Sequence, residues 1–131
     1  MKRLHLAIGL AFVVVFLATG MVMRLRFPAA YAGDATMRML FRSAHVYILF
    51  GALLNLALGI HLRVPERPRD RRLQLVGSLL LVAVPVLCTL AFFLEPAPGR
   101  LSRPFVVPAA AVALLGTLMH FLAHGRPAGG R

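Results

Sequence analysis

Five histidines carry most of the chemistry open to this 131-residue sequence: His5, His45, His61, His120 and His124. Imidazole is the commonest neutral metal ligand in proteins. His120 and His124 are four residues apart, on one face of any helix that contains them. That spacing suits a transition metal, with His5 or His61 as a further ligand. A b-type haem needs two rings from different helices at matched depth, and His61 and His120 meet that requirement. The segment MRMLFRSAHVYILFGALLNLALGIHL, residues 37–62, places His45 where an apolar run begins and His61 where it ends. About 24 Å of α-helix would separate these two rings, so they belong to different sites.

A plainer role competes at each position. Histidine is amphipathic and tolerated where hydrocarbon meets headgroups. His61, just before Arg63, also complements the negative end of a helix. Arg38, Arg42, His45 and Tyr47 form a second candidate set, for an anionic headgroup, a quinone carbonyl or an acidic partner segment. Arginines snorkelling from an interfacial helix would give the same pattern. The single cysteine, Cys88, lies within an apolar run and reads as a small buried apolar residue.

Other chemistry finds little support. The sequence has no GxxxxGK[ST], no HExxH and no CxxC, and Ser43, Ser78 and Ser102 lack a glycine-flanked elbow. No catalytic residue is assigned and a non-enzymatic role is expected. No carboxylate lies inside an apolar run, which disfavours a proton-coupled exporter built on a buried glutamate.

The elements that must position these residues follow from composition. The chain is 60% hydrophobic with mean hydropathy +0.81, more apolar surface than a soluble domain of this size can hide. Four runs, Leu4–Met23, His45–Leu62, Leu73–Leu94 and Phe105–Leu122, contain no Asp, Glu, Lys or Arg. Each is near the ~20 residues a helix needs to cross hydrocarbon. The expected fold is therefore an all-α integral membrane protein, a single domain of four transmembrane helices in an antiparallel bundle. The first run, between MKR and the small residues Ala30–Ala32, has some features of a cleavable signal. It is longer than the ~7–15 residues of an h-region, and Arg24 and Arg26 intervene, so it reads as a span.

Between the first two spans, Pro28 and Gly33 are expected to break the chain. Asp34 should cap a short interfacial helix over 35–44, leading into the second span. Small and polar residues mark inward faces: Gly51, Asn55 and Gly59 with Tyr47 in span two, and His5, Gly9, Phe16 and Gly20 in span one. Span three offers Gln74, Ser78, Pro85 and Thr89, and span four Ala113, Gly116 and His120. Close helix packing is the ordinary use of such stripes. Pro85 cannot donate to the carbonyl of Leu81, so a kink or a rescued carbonyl is expected there. The tail, residues 125–131, is expected to be disordered.

The net charge of +11 comes from arginines in the connections, which points to lipid headgroups rather than nucleic acid. Lys2, Arg3, Arg63, Arg67, Arg69, Arg71, Arg72, Arg126 and Arg131 fall on one side, nine against the six of Arg24, Arg26, Arg38, Arg42, Arg100 and Arg103. That bias places both termini in the cytoplasm of a bacterial-type inner-membrane protein. The expected role is an accessory or structural subunit that binds another membrane protein, or a second copy of itself, through glycine-lined faces. A haem or transition-metal protein is the alternative, and a small oligomeric transporter or channel the third.

Overall fold

The computed structural model describes residues 1–97 and 101–124, and contains four helices: α1 (Lys2–Ala30), α2 (Ala35–His61), α3 (Pro68–Leu94) and α4 (Val106–His124). All four are long and apolar enough to cross a membrane. The expected disordered tail, 125–131, and the centre of the turn between α3 and α4 lie outside the described residues.

Three boundaries differ from expectation. Pro28 does not break α1, which runs on to Ala30 and ends where the Tyr31 N–H meets the Phe27 carbonyl at 3.0 Å. A proline in the last turn removes one helical bond and leaves the preceding turns intact. The separate interfacial helix over 35–44 is not present as such, because those residues are the opening turns of an unbroken α2. Met37, Leu40 and Ala44 continue the same buried stripe as Ile48, Gly51, Asn55 and Gly59, so packing holds them in line. Helix α3 starts at Pro68, ahead of the apolar run, with the proline where its missing N–H is no loss and Asp70 in the first turn. Asp34 caps α2 as expected, its Oδ1 accepting from the Met37 N–H at 2.9 Å.

Helix α1 lies along α2, α3 along α4, and α2 along α3; among the described residues no Cα of α1 lies within 8 Å of one in α4. The central position of α2 and α3 follows from where the small residues stand. A Cβ on Gly59 would lie 2.5 Å from Leu6 Cγ, and one on Gly9 would lie 2.7 Å from Leu56 Cγ. Each helix of this pair thus lodges a leucine in the other's glycine notch. Gly51 seats α2 against Pro85 of α3, with 3.0 Å from the would-be Cβ to the proline Cα. Gly77 and Gly116 bring α3 and α4 nearly backbone to backbone, a Cβ on Gly77 falling 2.9 Å from the Gly116 carbonyl oxygen. Such notches let helices approach closely and gain dispersion contact.

The apolar core joins Ala44 and Ile48 of α2, Leu81, Val84, Cys88, Ala91 and Phe92 of α3, and Ala109 and Ala113 of α4. It lies toward the end where α2 begins, which also holds His45, while His5, His61, His120 and His124 lie at the other end. Large apolar side chains cover the outside, notably Leu10, Val14, Leu17, Met21 and Leu25 along α1.

Candidate functional site

At the end where α1 begins and α2 finishes, His5 is fully buried, and its Nδ1 lies 2.7 Å from Asn55 Oδ1. The amide nitrogen of Asn55 donates to two carbonyls, Gly51 at 2.9 Å and Leu81 at 2.8 Å. Asn55 Oδ1 is therefore the acceptor, and His5 donates from Nδ1. The Leu81 carbonyl is the one that Pro85 leaves without its helical partner. A side chain on α2 thus repairs the defect in α3 and clasps α1 at the same time. Gly51, seated on Pro85 one turn away, brings Asn55 within reach.

Two further clasps repeat the theme. Thr19 Oγ1 lies 2.9 Å from His45 Nδ1 and donates within reach of the Val15 and Phe16 carbonyls, so the histidine N–H donates to the hydroxyl. The His45 ring stacks on Phe16 with centroids 4.0 Å apart, and Gly20 leaves the space it fills. On the other pair, Ser78 Oγ meets His120 Nε2 at 3.2 Å. His124 directs Nδ1 to the His120 carbonyl at 2.8 Å and Nε2 to the Arg63 carbonyl at 3.1 Å. Gln74 also donates to the Arg63 carbonyl, so α3 and α4 together hold the connection after α2.

Of the proposed ligands, His5 and His120 are buried, each with one ring nitrogen lacking a partner, His5 Nε2 and His120 Nδ1. His61 is exposed at the end of α2 and joins none of the contacts of His5, His120 or His124. Among the described residues, no group of three or more His, Cys, Asp and Glu is placed to hold a metal ion. Cys88 sits free within the apolar core.

The arginine rim lies at the opposite end. Arg38 and Arg42 line a cleft of about 540 Å³ with Ser43 and Tyr47, and on their other side a cleft of about 410 Å³ with Arg24 and Phe27. His45, grouped with these arginines on sequence, is turned between α1 and α2 and lines neither cleft. Arg38 donates to the Tyr31 and Ala32 carbonyls, fixing the connection before α2.

Sequence reasoning passed over Glu95. Its Oε2 accepts from Arg103 Nε at 2.7 Å, while Oε1 accepts from the backbone N–H groups of Phe105 at 2.7 Å and Val106 at 2.8 Å. The buried carboxylate thereby pairs a cation and caps α4 at once. Arg103 Nη1 donates onward to Ser43 Oγ at 2.9 Å, tying this corner to α2. The available signal was a lone carboxylate directly after an apolar run, shortly before an arginine. Compared with known proteins, the chain matches no family model, no curated protein and no solved structure.

Proposed function

We propose that this chain is a multi-pass, antiparallel four-helix protein of the bacterial inner membrane, with both termini cytoplasmic, acting as a non-enzymatic accessory subunit. The observation that carries the reading is the use made of polar groups inside the helices. Asn55, Thr19 and Ser78 each meet a histidine of a different helix. The glycine notches of Gly9, Gly51, Gly59, Gly77 and Gly116 are filled by this chain's own helices. The small-residue faces therefore serve internal assembly, and a partner would meet a rigid unit through large apolar side chains. Helix α1 offers the longest such surface, the row Leu10, Val14, Leu17, Met21 and Leu25. The partner is a larger membrane protein or a second copy of this chain.

The test is affinity purification from membranes in mild detergent, comparing the wild type with Val14→Trp and Leu17→Ala. The expected result is a stoichiometric membrane partner that the α1 variants release while their thermal stability is unchanged. Recovery of the same partner with both variants would exclude α1 as the contact, and a monodisperse monomer without a partner would sink the accessory role.

A second reading, a haem or transition-metal site, draws support from the two unpartnered buried nitrogens of His5 and His120. Buried polar atoms are normally satisfied, so each such atom needs an account. An absorption spectrum with elemental analysis decides it: stoichiometric metal or a Soret band, lost in His120→Ala, would move the function toward electron transfer or metal handling.

A further inference from the structure

We infer that the arginine rim is a binding site for one anionic phospholipid, with its phosphate at Arg38 and Arg42 and one acyl chain in an adjoining apolar slot. The inference rests on membrane insertion and is independent of the accessory role.

Charge is the first support. Arg38 and Arg42 belong to both clefts of the rim, and Arg24 lines one of them. The ion pair found among the described residues is Glu95 with Arg103, so these three guanidinium groups meet no carboxylate there. The nearest acid in sequence, Asp34, directs its carboxylate to the Met37 N–H. Arginines gathered about an open cleft, without counter-charge, fit an anion; a planar guanidinium matches phosphate oxygens in pairs.

An apolar slot that shares Tyr47 with this cleft then favours a lipid over a free anion. Tyr47 lines the Arg38–Arg42 cleft and also a second cavity of about 220 Å³ between α2, α3 and α4. That slot is bounded by Phe50, Val84, Cys88, Val107, Ala110 and Ala113, with no charged side chain among the described residues. It descends from the level of Val106 to that of Ala113, about 10 Å along α4. The alanines of α4 open it, because larger side chains there would close the gap. Tyrosine at the junction suits the boundary between headgroup and hydrocarbon. A free phosphate would use only the upper cleft, whereas a phospholipid fills both.

The full-length protein in mild detergent, titrated with phosphatidylglycerol or phosphatidylcholine and read by native mass spectrometry, tests the site. Arg42 holds no backbone carbonyl among the described residues, so Arg42→Gln probes charge with the loop contacts of Arg38 intact. About 1 kcal/mol per arginine implies roughly fivefold weaker phosphatidylglycerol binding for Arg42→Gln and roughly thirtyfold for Arg38→Gln with Arg42→Gln. Ala110→Phe, at an exposed position lining the slot, should weaken phosphatidylglycerol binding while leaving any binding of glycerol phosphate unchanged. Equal retention of the two lipids, or full retention by the double variant with unchanged helical content, would overturn the proposal. Competition by glycerol phosphate at the same concentration as the lipid would overturn it in favour of a free-anion site. Failure to enter lipid vesicles would remove membrane insertion and this site together; insertion without lipid preference would remove the site alone.

Discussion

Two arginine-bearing corners stand on the same side of the helices, one above α3 and α4 and the other above α1 and α2. In the first, Arg103 is half-buried against a Glu95 side chain only 1% exposed, and the carboxylate also caps α4. In the second, Arg24, Arg38 and Arg42 surround open clefts and meet no acid among the described residues. The same residue type thus does opposite work. Where a carboxylate shares the burial, arginine locks helices together; where none does, its charge stays available to something outside the chain. The seams below differ in a related way. A Cβ on Gly9 or Gly77 would lie 2.9 Å from backbone of the neighbouring helix, whereas one on Gly20 would meet the edge of the His45 ring at 3.2 Å.

The largest effect expected from breaking this contrast is at Glu95. Glu95→Ala strands Arg103 and leaves the N–H groups of Phe105 and Val106 at the start of α4 uncapped, and should cost about 3–5 kcal/mol, read as a large fall in thermal midpoint in detergent. A loss under ~1 kcal/mol would mean that water reaches Arg103 freely and the corners are alike. Next comes the backbone seam: Gly77→Val should cost about 1–3 kcal/mol because a carbonyl and the helix behind it must move. Gly20→Ala should cost about 1 kcal/mol or less, since its Cβ meets only the edge of the His45 ring, at 3.2 Å, and a small shift of that ring relieves the contact. Equal losses at Gly77 and Gly20 would erase the distinction between backbone and side-chain seams.

Asn55→Ala removes one group that serves three helices, leaving the Leu81 carbonyl and His5 without partners, and should cost about 1–2 kcal/mol. Coupling it with Pro85→Ala sharpens the point. Restoring a helical N–H at position 85 should recover part of the loss, and a double-mutant cycle showing no coupling would refute the repair. The smallest effect belongs to the open corner: Arg42→Gln should alter stability by no more than about 0.5 kcal/mol. A loss above ~1 kcal/mol would show that Arg42 holds the fold and is not free for a ligand.

Much of this architecture was legible in the chain. Apolar run length, caps and small residues at helical spacing are local properties, so four helices, the Asp34 cap and the inward positions of Gly51, Asn55 and Gly59 could be read directly. The defect at Pro85 was legible too, because a missing N–H is a property of the residue itself. Continuity across residues 35–44 was less visible, since nothing local says whether an amphipathic turn bends into an interface or stays in line beneath a longer helix.

The sequence by itself determined which segments are helical, where their charges end and which faces carry small residues. Only the tertiary structure decided which groups meet. His5 rather than His61 faces Asn55, His45 turns away from Arg42 toward Thr19, and Glu95 closes on Arg103. The physical reason is that periodicity fixes relative angles within a helix but not its rotation or depth against its neighbours. A ring at the end of a helix lies inside or outside according to that rotation, set here by which leucine enters which glycine notch.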